Sequence, residues 1–350
     1  MNREKLSHRI IGDAIYGAMA ALQDFVRRAF FLASLATLAV VGCSPLTANG
    51  PLENSYAVRL DDSRPERRDI GSLKYRGGVA LTDPDPEFGG LSGIEVEPDG
   101  RRFVAISDRG KVITGNIDYD DEGDLTGVRG ITVAPLLDID GKQAVTNRAD
   151  SEGLARLPDG RWAVSFERWH RVELYAPNPD GPVTRPLPKL PRPPGIRSAE
   201  GNSGPEVLAA LPDGRMLVIE EGSDDKAGFS RAWLGGADGW ESLSYRGKAP
   251  YRPTDAAILP DGDLVVVERR ASILGGFGAR IVRVPGASID AGAELSGTEL
   301  AVLEPPVTTD NFEGISVVAT PDGRTLLYLV SDDNLWGLQR TLLMMFEIGA

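Results

Sequence analysis

The sequence predicts an all-β protein, a β-propeller with about four strands in each blade. Three observations predict this fold. A strand–turn–strand motif occurs five times, further strand-like runs stand between its copies, and no convincing amphipathic helix pattern follows residue 43. The motif returns roughly every 50 to 60 residues, close to the repeat length of propeller blades.

Each copy of the motif has two apolar runs around a Pro-Asp-Gly turn, the pattern of a β-hairpin. The first three copies are LSGIEVEPDGRRFVAISDRG from Leu91, SEGLARLPDGRWAVSFERWH from Ser151 and GPEVLAALPDGRMLVIEEGS from Gly204. The last two are PTDAAILPDGDLVVVERRAS from Pro253 and FEGISVVATPDGRTLLYLVSDDN from Phe312. We expect each hairpin to form the inner half of one blade.

The runs between the hairpins supply the outer strands. RVELYAP and PVTRPLP follow the second hairpin, and ARIVRVP and TELAVLE follow the fourth. The last unit ends one strand short, so we expect Ile70 to Leu81 to complete the final blade and close the ring. This count predicts five blades, and six remain possible if residues 112–148 hold an irregular unit.

The N-terminal region has the order of a secretory signal. Arg27 and Arg28 precede an apolar run that ends in Val-Val-Gly-Cys43. This ending resembles a bacterial lipobox and predicts residues 1–43 as a signal peptide with lipidation at Cys43, the alternative being an ordinary signal with an incidental cysteine. Ser44 then favours a periplasmic protein anchored to the outer membrane. Met19 is an alternative start.

The remaining chain divides into a flexible tether at 44–69 and the propeller at 70–350. A hydrophobic content of 41% and a charged fraction of 25% are ordinary for a globular protein. The net charge of −13 argues against a nucleic-acid partner, because phosphate binding needs a basic surface. With its single cysteine lipidated, the mature chain has no disulfide, cysteine zinc site or cysteine nucleophile.

The hairpins predict where polar groups meet. Since paired strands run antiparallel, the start of each first strand and the end of each second strand lie at one mouth of the channel. The starts carry Ser92, Glu152, Glu206, Thr254 with Asp255, and Glu313. The ends carry Asp108 with Arg109, Glu167 with Arg168, Glu220 with Glu221, Glu268 with Arg269, and Asp332 with Asp333.

A ring of carboxylates at one mouth needs compensation by arginines, by protonation or by a bound cation. Calcium suits many oxygen ligands in loose geometry. Three interpretations stay open: the acids hold calcium, bind substrate directly, or pair with arginines to join the blades. The Asp-rich stretch from Thr114 to Gly127 is a weaker calcium candidate, and the lone mature histidine, His170, is a weak catalytic one.

The hairpin motifs resemble those of the bacterial esterase-like activity of phytase family. The resemblance is carried by GGLSGIEVEPDGRRFVAISDRG, DSEGLARLPDGRWAVSFE and NFEGISVVATPDGRTLLYLVSDDN, in that order. It implies a secreted or periplasmic propeller related to calcium-dependent phytases, with phosphoesterase or esterase activity. Residues within the shared motifs are Ser92, Asp108, Arg109, Glu152, Glu167, Arg168, Glu313 and Asp332.

These observations lead to a first hypothesis of a calcium-assisted hydrolase acting on a small anionic phosphate or carboxylate ester. The catalytic candidates are Asp108, Arg109, Glu152, Glu167 and Arg168. The calcium-ligand candidates are Glu152, Glu206, Asp255, Glu313 and Asp332. The alternatives are a non-enzymatic lipoprotein that binds a ligand or partner, and a lactonase or quinoprotein-like enzyme of the same fold.

Overall fold

Five inner strands pack side by side in a closed ring, and each begins one blade of a propeller. The computed structural model describes residues 54–145, 148–196, 204–222, 228–272, 275–334 and 339–349. The predicted signal peptide, Cys43 and residues 44–53 of the predicted tether lie outside this part of the chain. Within it, no helix is long and apolar enough to cross a membrane.

The strands are numbered in chain order and grouped by blade. Blade 1 contains β4 (Leu91–Val96), β5 (Arg102–Ser107), β6 (Lys111–Tyr119) and β7 (Leu125–Pro135). Blade 2 contains β8 (Ser151–Arg156), β9 (Trp162–Phe166) and β10 (Arg171–Tyr175). Blade 3 contains β11 (Pro205–Ala210), β12 (Met216–Glu220), β13 (Phe229–Gly236), β14 (Gly239–Arg246) and, from later in the chain, β18 (Glu294–Leu295).

Blade 4 contains β15 (Arg252–Ile258), β16 (Leu264–Ser272), β17 (Gly276–Val284) and β19 (Thr298–Leu303). Blade 5 contains β20 (Asn311–Ala319), β21 (Thr325–Asp332), β22 (Leu342–Ile348) and the N-terminal β3 (Leu73–Leu81). Two short strands, β1 (Ser55–Ala57) and β2 (Asp69–Ile70), pair with β3. A 3-10 turn occupies Gly286–Ser288.

The ring of inner strands confirms the predicted propeller with five blades. β6 and β7 form the outer half of blade 1, so residues 112–148 do not form a sixth blade. The apolar core is divided into five clusters, one between each pair of neighbouring blades. Burial of both faces of each sheet is therefore the main source of stability.

The predicted N-terminal closure is confirmed. β3 pairs antiparallel with β22, with Val79 opposite Leu343, and completes blade 5. The same strand touches β7 of blade 1 through one parallel bridge between Gly77 and Leu125. Gly77 has a φ of 106°, and a Cβ there would lie 2.2 Å from the Leu125 carbonyl oxygen, so this contact requires glycine.

The tether prediction is corrected for residues 54–69, which pack on the propeller. Leu60 is 1% exposed and belongs to the core between blades 4 and 5. The buried Asp61 carboxylate accepts hydrogen bonds from Ser63 and from the guanidinium groups of Arg64 and Arg67. These contacts hold the pKa of Asp61 well below its usual range, and the hydrogen bond from Ser63 contributes most to the shift. The polar composition of this segment led to the prediction of a flexible tether. Its charged side chains instead pair with one another, so the segment can pack on the propeller.

The run PVTRPLP does not form the predicted fourth strand of blade 2. Only one bridge, between Tyr175 and Pro186, stands in its place, because prolines lack the N–H that a strand ladder needs. The proline-rich connection that follows packs on blade 3. The indole N–H groups of Trp233 and Trp240 donate to the carbonyl oxygens of Pro194 and Pro191.

Every inner strand has an irregular register at the same point, close to the predicted mouth. The skipped residues are Ser92 in β4, Glu152 with Gly153 in β8, Glu206 in β11, Thr254 in β15 and Glu313 in β20. β-Bulges of this kind redirect side chains and occur often beside functional sites. The bulges therefore separate the mouth residues from the regular strand pairing.

Glycines next to the bulges let the inner strands approach one another. A Cβ on Gly153 would lie 2.7 Å from the Glu206 carbonyl oxygen, and one on Gly93 would lie 2.9 Å from the Leu154 nitrogen. A Cβ on Gly314 would lie 3.1 Å from the Cα of Gly93 itself. The ring of five strands has no space for side chains at these positions.

We expect Gly153→Ala to destabilise the fold by about 1 to 3 kcal/mol, because overpacking pushes neighbouring inner strands apart. Gly127→Ala in β7 is the matched control, since its Cβ would meet Ser55 Oγ at an ordinary 3.7 Å. The free energy of unfolding in urea measures both effects. Equal stability of the two variants would contradict the proposed packing constraint.

Candidate functional site

Three glutamates from three different blades converge at the mouth of the channel. Glu152, Glu206 and Glu313 are 8%, 7% and 9% exposed, respectively. Burial raises the pKa of Glu152 well above its usual value, and the negative charges of Glu206 and Glu313 raise it further. The sequence prediction that the strand starts bring carboxylates together is met at these three positions.

The ends of the second strands add further acids. Burial raises the pKa of Asp108 to about 7, with contributions from Asp332 and Asp150. Burial also raises the pKa of Glu167, although its Oε1 accepts the Gly204 N–H at 3.0 Å. The mouth is therefore an acidic cluster in which several carboxyl groups share a poorly solvated space.

Arg269 supplies the positive charge of one side of this cluster. Its Nη2 lies 3.2 Å from Glu221 Oε1 and 3.6 Å from Glu313 Oε1. Its Nη1 donates to Asn311 Oδ1 at 3.1 Å. Burial alone would lower the pKa of Arg269, but the neighbouring carboxylates outweigh burial and raise it. This side of the mouth is compensated from within the protein.

The other side of the mouth holds three carboxylates in a compact group. Asp150, Glu152 and Glu167 each place one oxygen within 4.8 Å of the other two. Oxygens that share a calcium ion are separated by at most about 5 Å, because each Ca–O bond is roughly 2.4 Å. Three carboxylates at this spacing fit a hard cation such as calcium. Arg168 Nε pairs with Asp150 Oδ2 at the outer edge of the group.

Asp150 was missed by sequence reasoning, which considered the starts and ends of the hairpin strands but not the residue that precedes β8. It lies immediately before β8, in the string Asp-Ser-Glu-Gly. Its nearness to Glu167 follows from hairpin geometry, since the Glu167 N–H donates to the Asp150 carbonyl oxygen. The acidic residue directly before the first strand of this hairpin was the signal that could have identified Asp150.

Asp255 lies away from this group. It follows the bulge at Thr254, is 1% exposed, and its Oδ2 accepts the Ile315 N–H at 2.8 Å. Burial raises its pKa well above the usual value, and the carboxylate that adds to the effect is Glu95. Asp255 therefore sits among the inner strands, and Thr254 occupies the position that corresponds to Glu206.

Asp332 and Glu268 differ in their placement. Asp332 reaches the mouth, where its Oδ2 accepts from the Asn311 amide at 3.3 Å. Glu268 is completely buried between blades 3 and 4, where Arg280 and Tyr245 contact its carboxylate at 2.5 and 2.6 Å. The acids at the strand ends thus divide between the site and the blade interfaces.

A depression of about 400 Å³ opens beside the three-carboxylate group, between the loops of blades 1 and 2. Its polar lining includes Asp108, Arg109, Lys111, Asp150 and Arg168. Lys111 Nζ is bound to Glu87 Oε1 at 2.5 Å, whereas Arg109 is exposed. The predicted catalytic residues Asp108, Arg109 and Arg168 therefore meet in one concave surface next to Glu152 and Glu167.

The two weaker candidates have local partners. In the turn between β6 and β7, Asp120 Oδ1 accepts the backbone N–H groups of Glu122 and Asp124 at 3.1 and 2.8 Å. This is an Asx-type turn with local hydrogen bonds. His170 is 6% exposed and lies against Gly204, as expected for a packing residue.

The raised pKa values predict how stability depends on pH. The folded protein binds more protons than the unfolded chain between about pH 4 and pH 8, so its stability falls as the pH rises through this window. In chelator, we expect a lower melting temperature at pH 8 than at pH 5. Calcium should restore stability mainly at pH 8, because it binds the deprotonated carboxylates. Equal melting temperatures in chelator at both pH values would contradict the acidic cluster.

Substitution of Arg269 tests whether its positive charge compensates the buried carboxylates beside it. We expect Arg269→Gln to cost about 3 to 5 kcal/mol of folding free energy near pH 8, since it leaves buried carboxylates without a counter-charge. The loss should shrink at pH 5, where these groups are protonated. Arg270→Gln is the matched control, because Arg270 pairs with the partly exposed Glu304 at 2.8 Å, and should cost less than about 1 kcal/mol. A pH-independent loss in Arg269→Gln would count against the assignment.

A model of the Phytase-like family, described as esterase-like activity of phytase, matches residues 86–335. No curated protein matches the chain. A similar solved structure is the PQQ-bound aldose sugar dehydrogenase from Streptomyces coelicolor, which is 15% identical over 89% of this chain and 100% of that chain, with a TM-score of 0.38.

Two further similar structures have TM-scores of 0.39. Virginiamycin B lyase from Staphylococcus aureus is 11% identical over 83% of this chain and 98% of that chain. The WD40 repeats of RRP9 are 8% identical over 80% of this chain and 99% of that chain.

Proposed function

Because the chain belongs to the Phytase-like family, described as esterase-like activity of phytase, we propose that its channel mouth hydrolyses a small anionic ester with the help of calcium. One observation carries the proposal. A compact carboxylate group that fits a divalent cation adjoins a depression lined by arginines that suit an anion. Opposite charges arranged in this way serve both a metal and a phosphate or carboxylate ester.

Asp150, Glu152 and Glu167 would hold the calcium ion. The bound ion would neutralise the carboxylates, polarise an ester oxygen and activate water. Glu206, Glu313 and Asp332 extend the acidic surface around this group, with Arg269 as their internal counter-charge. We do not assign Asp255 to the ion, because backbone N–H groups of the neighbouring inner strands hold its carboxylate.

Arg109 and Arg168 would bind and orient the anionic part of the substrate. Arg168 has a φ of 53°, an uncommon conformation for a residue with a side chain, and its Nε contacts Asp150. This conformation holds one guanidinium at the rim of the depression. Arg109 is exposed in the lining of the same depression, and its positive charge, which acts on Asp108, would also attract an incoming anion.

Asp108 would act as the general acid–base group. Its pKa of about 7 lets it hold and release a proton near neutral pH, as catalysis of proton transfer requires. The Oδ1 atom is buried and makes no hydrogen bond within the described residues. A carboxyl oxygen without a fixed partner suits a group that exchanges protons with water or substrate.

We further propose that lipid on Cys43 anchors the propeller to the outer membrane, where the mouth meets substrates in the periplasm. Cys43→Ser should move the protein from the membrane fraction to the soluble periplasmic fraction, and it should abolish incorporation of a labelled fatty acid. Cys43→Ser protein that still fractionates with the membrane and carries label would contradict the anchor.

The catalytic proposal is tested with protein from residue 44 onward, assayed on chromogenic phosphate and acyl esters. We expect turnover in calcium and its loss in chelator. Glu152→Gln should lower kcat/KM by about 100-fold, on the order of a lost metal or acid–base contribution. Glu294→Gln is the matched control, since Glu294 pairs with Arg246 on the outer edge of blade 3. No turnover of any ester with calcium supplied would favour a non-enzymatic binding protein.

A further inference from the structure

We propose that Trp169 is a stacking platform that selects esters carrying a planar aromatic group beside the anion. This inference rests on the proposed function of the same mouth and specifies its substrate class. Trp169 directly follows Arg168, which lines the depression. Arg148, whose guanidinium stacks on the indole, directly precedes Ala149, which also lines the depression. The indole is therefore tied to the rim of the depression through both of these chain neighbours, where it can meet the group attached to a bound anion.

The exposure of Trp169 sets it apart from the other tryptophans that the structure describes. Its side chain is 49% exposed, whereas Trp162 and Trp233 are each 1% exposed within the blades. Large apolar side chains of the described residues are rarely this exposed, and Val145, at 58%, lines the same depression. Apolar groups that cluster beside a concave polar site commonly contribute to ligand binding.

The indole is held in place and is not a loose surface group. The Arg148 guanidinium carbon lies 4.6 Å from the centroid of the Trp169 ring, a cation–π contact. Arg171 joins both residues, since it donates to the Trp169 carbonyl oxygen at 3.3 Å and to the Arg148 carbonyl oxygen at 2.8 Å. A ring fixed in this way loses little conformational freedom when a second planar group stacks on it.

The rest of the depression supports a ligand that is part anion and part apolar. Arg109 and Arg168 provide positive charge, and Ala144, Val145 and Ala149 provide an apolar wall. A small alkyl ester would use the charges but leave the indole uncovered. An aryl ester would use both, and aromatic pairs add about 0.5 to 1.5 kcal/mol beyond the area they bury.

Equilibrium binding of two non-hydrolysable probes tests the inference independently of turnover. Phenylphosphonate and methylphosphonate are titrated calorimetrically into the protein in calcium. We expect phenylphosphonate to bind about 10-fold tighter, in line with one aromatic contact. Trp169→Ala should remove this preference and leave methylphosphonate binding unchanged. Trp169→Phe should keep most of it.

Tyr56→Ala is the matched control. Tyr56 is 54% exposed on the short edge strand β1, outside the depression, so its loss should not change either affinity. Melting temperatures of the variants confirm folding, since both aromatic residues are exposed. A phenyl preference that survives in Trp169→Ala, or that disappears equally in Tyr56→Ala, would overturn the inference.

The remaining outcomes separate the inference from the proposed function. Preferential binding that depends on Trp169 without hydrolysis of any ester would support the platform and reject the enzyme. Turnover of esters without a phenyl preference would reject the platform and leave the enzyme. Failure of both phosphonates to bind would overturn the platform, because the arginines would not hold the anion that positions the ring.

Discussion

Close packing of the five inner strands at the centre of the ring governs both the fold and the position of the polar site. With so few blades, the strands touch at the centre, and glycine is required at Gly93, Gly153 and Gly314. The residue beside each contact is forced out of the strand register as a bulge. The same constraint that closes the ring therefore concentrates polar side chains at one mouth.

Concentration of carboxylates creates an electrostatic problem that the two sides of the mouth solve differently. On one side Arg269 reaches both Glu221 and Glu313, so the charge is balanced within the chain. On the other side Arg168 pairs with Asp150 at the edge of the three-carboxylate group, and the described residues give Glu152 and Glu167 no arginine ion pair. This imbalance, more than the number of acids, is the reason why we propose a bound cation beside blade 2.

The placement of the charged residues at the starts and ends of the hairpin strands was only partly predictable from the sequence. Glu152, Glu206 and Glu313 meet as the hairpin repeat suggested, because their position depends on strand direction and bulge position. Glu268 occupies a similar place in the repeat, yet it turns between two blades to meet Arg280. A one-residue change in register moves a side chain from the channel to a blade interface, and sequence alone does not reveal such a change.

The architecture of this protein can be predicted from its amino-acid sequence. The repeated Pro-Asp-Gly hairpins, their spacing and the missing last strand predicted a five-bladed ring closed by residues 70–81, because local strand patterning and turn chemistry are written in consecutive residues. The folded structure was needed to see that Asp150 groups with Glu152 and Glu167 and that residues 54–69 pack on the propeller. Both depend on distances between side chains that the folded backbone brings together.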